Sequence, residues 1–284
     1  MTLAGVPVRD ALDSAIVAIT ASGSESPRLD AELLLAHALG VERSALILDP
    51  GREVAGPQAR EFQDLVRRRA TTGEPVAYLL GTKGFRHIDL LVDPRVLVPR
   101  PETESLVEAA LPLRDGARVL DVGTGSGAVA LALKHERPAL RVTGSDVSEE
   151  ALEVARANRD RLGLDVDLVH ADLLTGLGDD WDAVLSNPPY ISEADRPGLP
   201  RDVRDHEPAG ALFGGADGLD VVRELIAQVA ATRAPLLALE IGAGQSDVVR
   251  ELVRDAGFHD VGARRDLAGI ERVVVGRRRL REPR

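Results

Sequence analysis

From residue 117 onward, short apolar runs rich in Val, Leu and Ala alternate with segments of helical periodicity. This alternation constrains the fold strongly, because consecutive strands joined by helices form a parallel sheet that is covered on both faces. The sequence therefore predicts an α/β domain. The predicted strands are 117–122, 141–146, 166–170, 181–186 and 235–241, and two further runs at 258–263 and 271–276 complete the sheet.

The part of the chain before this α/β region shows a different pattern of apolar residues. Over residues 1–75, apolar residues recur at helical spacing, and one predicted helix starts at Pro27 and ends at Gly40. Between residues 76 and 100, two extended runs flank Asp93-Pro94, a pattern that predicts a β-hairpin. We expect a small helical domain over 1–75, a hairpin linker over 76–100 and the larger α/β domain over 101–284.

Composition excludes several classes of protein. The chain contains no cysteine, and its six histidines show no metal-ligand spacing, so we expect neither disulfides nor a metal site. The formal net charge of -11 argues against a protein that wraps a long phosphate backbone. Since the sequence offers neither a signal peptide nor a membrane-spanning apolar run, we expect a cytoplasmic protein with no membrane partner.

A glycine-rich turn lies where the first predicted strand becomes a helix. Gly123, Gly125 and Gly127 allow the backbone to turn tightly and to approach a ligand, and the helix N-terminus presents free amide donors. Asp146, at the end of the second strand, stands where an acidic residue binds ribose hydroxyls. With Ala128 the turn also fits the dinucleotide pattern, so nicotinamide, flavin and S-adenosylmethionine (SAM) all remain candidate cofactors.

Two further features favour SAM. Asp121 precedes the glycines, where its carboxylate would repel a pyrophosphate but suit the cationic methionine end of SAM. The tetrapeptide Asn187, Pro188, Pro189 and Tyr190 follows the fourth strand, at the sheet edge where such folds bind ligands. An amide side chain, two rigid prolines and an aromatic face form a clamp that suits a planar amide or a base edge.

Together these motifs resemble class I SAM-dependent methyltransferases that methylate planar nitrogens. More specifically, the chain resembles the protein-glutamine N5-methyltransferases of the PrmC/HemK type, which modify peptide-chain release factors. The resemblance runs nearly end to end and includes Gly-Thr-Lys-Gly-Phe at 81–85, Leu-Val-Pro-Arg-Pro-Glu-Thr-Glu at 97–104, Glu-Pro at 207–208 and Glu-Ile-Gly at 240–242. Asn-Pro-Pro-Tyr is shared with adenine methyltransferases of DNA, whereas Pro-Arg-Pro-Glu-Thr-Glu and the helical N-terminal region discriminate better.

The resemblance implies roles for individual residues. It implies that Asn187 contacts both SAM and the substrate amide, and that Asp172 and Leu173 meet the adenine, where some members carry an aromatic residue. Phe85 and Arg100 lie in stretches that roof the site in the family. The implied catalytic residues are Asn187, Pro188, Pro189 and Tyr190, and the implied cofactor-binding residues are Gly123, Thr124, Gly125, Ser126, Gly127, Asp146, Asp172, Leu173, Asn187, Phe85 and Arg100.

The resemblance also implies the fold and the activity. It implies a seven-stranded, Rossmann-like catalytic domain that binds SAM, and an N-terminal helical-bundle domain that recognises the substrate. The expected reaction is N5-methylation of the glutamine in the Gly-Gly-Gln motif of bacterial class I release factors, in support of translation termination. We expect a monomer that binds no nucleic acid directly.

Two alternatives remain open. An N6-adenine methyltransferase of DNA or RNA could use the same clamp, although nucleic acid should require a basic face that this acidic chain does not suggest. A non-catalytic binding module or a dinucleotide oxidoreductase could be built on the same sheet.

Overall fold

The computed structural model describes residues 5–278, which form two compact units. The first unit comprises the chain up to Gly81 together with the later segment Pro200–His206. The second comprises Thr82–Leu199 and the chain from Glu207 onward. The first unit thus includes a segment that lies in sequence between two parts of the second.

The first unit is helical, as predicted. Pro27 begins the second helix and Gly40 ends it with φ 63°, in agreement with the sequence pattern. Ile19, Leu34 and Phe62 belong to its buried core. Its helices are Val8–Ala21 (α1), Pro27–Leu39 (α2), Arg43–Leu48 (α3), Gly56–Thr72 (α4), Val76–Leu80 (α5) and the later Arg201–His206 (α9), and its two short strands are Val6–Pro7 (β1) and Glu53–Val54 (β2).

One buried arginine joins the later segment to the rest of this unit. Arg69, at the end of α4, places Nε 2.8 Å from Asp30 Oδ2 and Nη1 3.3 Å from Asp202 Oδ2. His206 Nε2 lies 2.9 Å from the carbonyl oxygen of Thr72. Helix α9 is therefore held on the helical unit by side chains from both of its ends.

The second unit begins with a hairpin whose turn differs from the predicted one. Its strands are Thr82–Phe85 (β3) and Ile88–Leu91 (β4), joined by Arg86 and His87. The expected turn at Asp93-Pro94 is wrong as a hairpin turn, because the 93–96 segment bends through a Val96 N–H to Asp93 O bond of 3.1 Å without pairing two strands. Asn158 fixes β4 to the sheet domain by bonding both the N–H and the C=O of Leu91.

The seven-stranded sheet confirms the predicted α/β fold class. Its order is β10-β11-β9-β8-β5-β6-β7, with parallel pairing among β9, β8, β5, β6 and β7 and antiparallel pairing at β11 and β10. The strands are Arg118–Val122 (β5), Arg141–Asp146 (β6), Asp167–His170 (β7), Ala183–Ser186 (β8), Leu236–Glu240 (β9), Asp260–Arg265 (β10) and Glu271–Arg277 (β11).

Helices connect the strands of this sheet. They are Glu104–Ala110 (α6), Ala128–Glu136 (α7), Glu149–Leu162 (α8), Ala209–Leu212 (α10), Asp220–Ala231 (α11) and Ser246–Asp255 (α12), with 3-10 turns at Pro101–Thr103 and Glu193–Gly198. Strands β8 and β9 are buried along their whole length. Because β5, β6, β8 and β9 are parallel neighbours, the loops that follow them meet at one edge.

Candidate active site

A cavity of about 680 Å³ opens at the carboxyl ends of the parallel strands. Its walls come from the loops after β5, β6, β7 and β8, from the segment before α6 and from the segment around α10. The residues of the predicted site that line it are Gly123, Thr124, Gly125, Ser126, Asp146, Asp172, Leu173, Asn187, Pro188 and Pro189. The fold thus brings together side chains from four different sheet loops.

Two backbone N–H groups of the glycine-rich loop after β5 donate hydrogen bonds to strand β6. The Thr124 N–H donates to Ser145 O at 2.9 Å, and the Gly125 N–H donates to Asp146 Oδ2 at 2.9 Å. Gly125 has φ 56°, a left-handed conformation that glycine adopts without strain. The loop is therefore fixed to the neighbouring strand β6 rather than left free.

Gly127 has a packing role in this loop. It starts α7 with φ 84°, and a Cβ atom at this position would lie 2.7 Å from Leu131 Cδ1. It does not line the cavity, unlike the four residues before it. The last glycine of the motif therefore permits close packing of the helix.

The Asp121 side chain fixes the glycine loop and the start of α7 by hydrogen bonds. Its Oδ2 accepts hydrogen bonds from Thr124 Oγ1 at 2.6 Å and from the Ala130 N–H at 3.2 Å. Complete burial raises the pKa of Asp121 to about 7. Asp121 is also among the residues that line the cavity, so it fixes the loop at the base of the site.

Asp146 accepts hydrogen bonds from two loops. Its Oδ1 accepts from the Ser148 N–H at 2.9 Å, while Oδ2 binds Gly125 as described. Burial raises the pKa of Asp146, and these backbone donors act in the opposite direction. Ser148 caps α8 by accepting from the Ala151 N–H at 3.1 Å.

Asp172 and Leu173, which follow β7, line the cavity. Leu173 has φ 51°, an uncommon conformation for a residue with a branched side chain, and it packs against the apolar cluster of the sheet. Asp172 is exposed beside it. An apolar surface and an acidic group thus occupy the region where the sequence suggested an adenine contact.

The Asn-Pro-Pro-Tyr segment at 187–190 leaves β8 at the centre of the site. Asn187 donates from Nδ2 to Thr103 Oγ1 at 3.2 Å. Tyr190 donates from its hydroxyl to Glu240 Oε1 at 3.2 Å, and its carbonyl oxygen accepts from Gln245 Nε2 at 2.9 Å. These bonds tie both ends of the segment to neighbouring elements of the second unit.

Glycines also approach this segment closely. A Cβ on Gly214 would lie 2.4 Å from Pro189 O, and one on Gly218 would lie 2.3 Å from Tyr190 O. The Gly214 N–H donates to Ile191 O at 2.9 Å. The loop after α10 therefore packs directly on the Asn-Pro-Pro-Tyr backbone.

Phe85 and Arg100 lie outside the wall of the cavity. Phe85 is 2% exposed and pairs with Ile88 across the hairpin turn. Arg100 forms a salt bridge with Glu207, with Nη2 2.6 Å from Oε1. Neither residue is among those that line the cavity, which the 95–103 segment reaches through Arg95, Val96, Leu97, Pro99 and Thr103.

Three polar residues of this region were not among the predicted site residues. Thr103, Glu207 and Glu240 are all buried, at 4%, 7% and 1% exposure. Each lies in a stretch that carried the family resemblance, but only the fold shows that Thr103 and Glu240 adjoin Asn187 and Tyr190. Burial raises the pKa of Glu240 to about 7, and burial together with the charge of Glu240 raises the pKa of Tyr190.

No helix within residues 5–278 is long and apolar enough to span a bilayer. In the same range, His, Asp and Glu side chains form no group of three or more that could hold a metal ion.

Comparison with known proteins identifies the family. Residues 10–81 match the family described as "PrmC N-terminal domain", and residues 102–198 match "Methyltransferase small domain". A release factor glutamine methyltransferase of Koribacter versatilis is 42% identical over 279 residues, which cover 95% of this chain and 98% of the relative. The enzyme of the same name from Deinococcus radiodurans is 44% identical over 278 residues, with 95% and 98% coverage.

A solved methyltransferase from Pyrococcus furiosus shares the fold at 21% identity, with a TM-score of 0.51 and coverage of 78% of this chain and 96% of that one. The identity to the curated relatives extends over both units and nearly the full length of each protein. The chain belongs to the family of release factor glutamine methyltransferases.

Proposed function

We propose that this protein transfers the methyl group of SAM to the side-chain amide nitrogen of a glutamine, in the Gly-Gly-Gln motif of bacterial class I release factors. The observation that carries the proposal is the placement of Asn187, whose amide stands beside the glycine loop at the carboxyl edge of β8. Family membership supports the substrate.

The lining of the cavity fits SAM. The loop of Gly123 to Ser126 would hold the methionine and ribose parts, Asp146 the ribose hydroxyls, and Leu173 and Asp172 the adenine. Asp121 adds a carboxylate to the wall, which suits a cation. When bound, SAM supplies a methyl group activated by a sulfonium.

Catalysis in this site rests on placement and electrostatics. An amide nitrogen is a poor nucleophile because its lone pair is delocalised into the carbonyl. Asn187 Oδ1 and the Pro188 carbonyl oxygen would accept hydrogen bonds from the two N–H groups of the substrate and hold its nitrogen in line for transfer. The proton can leave after transfer, so no strong base is required.

Surrounding residues would complete the glutamine pocket. The Tyr190 hydroxyl donates to Glu240 Oε1, and this bond would hold the ring where it can pack on the amide plane and exclude water. Pro189 stiffens the same backbone. We infer that the helical unit contacts the release factor, and that the protein acts as a cytoplasmic monomer without binding nucleic acid.

The test is direct methylation. The protein is incubated with SAM and a bacterial release factor, and the added methyl group is mapped by mass spectrometry. We expect one methyl group on the glutamine of Gly-Gly-Gln, and none on a release factor in which that glutamine is alanine. A parallel reaction with adenine-containing DNA and RNA separates the alternative: methylation there, with an unmodified release factor, would overturn the proposal.

A further inference from the structure

The loop after β7 contains a strained residue. Leu173 has φ 51°, and within residues 5–278 Arg86 is the one other residue besides glycine with a positive φ. Residues with a side chain adopt this conformation rarely, and it persists where surrounding contacts hold it. Since Leu173 and its neighbour Asp172 line the cavity, the contacts that hold this loop also determine the shape of the cavity wall.

A side chain from a distant helix holds the residue after Leu173. Gln228 of α11 accepts a hydrogen bond through Oε1 from the Leu174 N–H at 2.9 Å. Leu174 is 7% exposed, so its N–H has little access to water and would be costly to leave unpaired. The bond fixes the peptide unit that joins Leu173 to Leu174, and the orientation of that unit is set by the ψ angle of Leu173.

Apolar packing joins the same loop to the same helix. Leu174 belongs to one buried cluster with Leu225 and Val229 of α11, and the partly buried Leu173 packs against that cluster. Such packing holds the loop against the helix, but it has no direction and does not orient a peptide group. A hydrogen bond is directional, so Gln228 supplies the orientation that packing does not.

The Gln228 amide faces the loop in a defined direction. A backbone N–H can only donate, so the amide oxygen must face Leu174. The amide NH2 then donates to Glu224 Oε1 at 2.9 Å, one turn earlier on α11. Asp220, Val221 and Glu224 of this helix line the cavity, whereas Gln228 does not. Gln228 is therefore placed to act on the cavity through the loop.

We propose that Gln228 is a positioning residue for the base of the cofactor, because it holds Asp172 and Leu173 in the conformation that receives adenine. The inference deepens the proposed function and rests on it in one respect, the assignment of this wall to the adenine of SAM. The exocyclic amino group of adenine is a donor that suits an acidic side chain such as Asp172, and Leu173 offers an apolar surface to the ring.

Ligand binding by the full chain tests the proposal without turnover. S-adenosylhomocysteine is the probe, because it carries the same base and no sulfonium charge. Gln228→Met keeps the length of the side chain and its helix propensity but removes the acceptor, and we expect isothermal titration to show a Kd raised ~10-fold or more. Gln228→Glu keeps an oxygen acceptor, and its Kd should stay within about threefold of wild type. The matched control is Gln58→Met, which removes a long bond to Leu39 O in the helical unit and should leave the Kd unchanged.

A second probe shows whether the effect concerns the base. S-inosylhomocysteine carries an oxygen where adenine carries the amino group, so it presents an acceptor to Asp172 in place of a donor. We expect wild type to bind it ~10-fold or more weakly than S-adenosylhomocysteine, and Gln228→Met to discriminate by less than about threefold. An equal loss of affinity for both probes in Gln228→Met would show a general loosening of the site and would overturn the proposal.

Hydrogen exchange of the Leu174 amide tests the bond itself. In the free protein we expect this amide to be protected in wild type and in Gln228→Glu, and to exchange ~10-fold or more faster in Gln228→Met. An unprotected Leu174 amide in wild type would overturn the proposal even if Gln228→Met does not fold. A wild-type Kd for S-adenosylhomocysteine in folded Gln228→Met would overturn it as well.

Failure of the proposed function has a different signature. The expected pattern of affinities and exchange in a protein that does not methylate a release factor would support the role of Gln228 and reject the proposed substrate. If wild type bound neither probe, the assignment of SAM to this cavity would be rejected, and the role of Gln228 towards adenine with it.

Discussion

Arg100 Nη2 lies 2.6 Å from Glu207 Oε1, and this salt bridge joins the segment before α6 to the segment before α10. The Glu207 side chain is only 1% exposed, while that of Arg100 is 34% exposed. Pro208, next in sequence, lines the cavity. The pair therefore fixes one wall of the candidate active site.

Arg100→Gln should destabilise the protein, because it removes the guanidinium that faces a buried carboxylate. We expect a loss of about 2 kcal/mol in the free energy of unfolding, reduced by the partial exposure of the arginine. Urea unfolding measures it. Arg233→Gln, which breaks an exposed pair with Asp179, is the control and should cost less than about 1 kcal/mol; equal losses in the two variants would contradict the role of burial.

Asn187→Ala should remove activity and preserve the fold. Loss of an acceptor for the reacting amide predicts a decrease in kcat/KM of ~100-fold or more, measured by radiolabelled methyl transfer. Asn158→Ala is the contrasting variant, because Asn158 is fully buried and bonds Leu91 and Ser126. It should lose about 2 kcal/mol of stability. Unfolding of Asn187→Ala itself would assign that residue a structural role.

Gly125→Ala should weaken SAM binding more than it weakens the fold. A Cβ on Gly125 meets no atom within 4 Å in the protein, so it would project into space left for the ligand, and φ 56° adds modest backbone strain. Isothermal titration should show a Kd raised ~10-fold or more. Gly163→Ala has a matching φ of 64° and equally open surroundings at the end of α8. The Gly163→Ala variant should be destabilised by the backbone strain but should keep the wild-type Kd for SAM.

Gly218→Ala should displace the Asn-Pro-Pro-Tyr segment. The new methyl group would lie 2.3 Å from Tyr190 O, a distance that backbone atoms cannot tolerate without moving. We expect kcat to fall ~10-fold or more, since small displacements of positioning groups are costly in catalysis. Gly262→Ala, where no atom lies within 4 Å, provides the control in β10. A Gly218→Ala enzyme with wild-type kcat would show that the segment adapts.

Glu240 should make stability depend on pH in a defined direction. Its pKa is about 7 in the folded protein and 4.5 ordinarily, so between these values the folded state binds more protons than the unfolded state. Stability from this group is therefore lost as pH rises from about 4.5 to about 7, and is constant above.

Glu240→Gln removes that dependence. Relative to wild type, its free energy of unfolding should rise by at most about 1.4 kcal/mol per pH unit across that window. Urea unfolding at several pH values measures the difference. The exposed Glu251→Gln is the control and should give a constant difference, and a constant difference for Glu240→Gln would show that its carboxyl is not perturbed.

The sequence located the sheet well because its physical signals are local. Strands β8 and β9 are buried on both faces and so appear as continuous apolar runs, and β6 was predicted with the bounds that the structure shows. The hairpin turn was misplaced because Arg86-His87 carries no Gly, Pro or Asn, whereas Asp93-Pro94 carries a strong turn signal without pairing strands.

By itself, the sequence determined the α/β class, the family resemblance and the motif residues, since strand periodicity and glycine turns depend on neighbours along the chain. Only the tertiary structure decided which distant residues surround Asn187. Parallel pairing of β8 with β9 sets Glu240 beside it, and the turn before α6 brings Thr103 against its amide. No local pattern encodes such contacts, because they arise from the order of strands in the sheet.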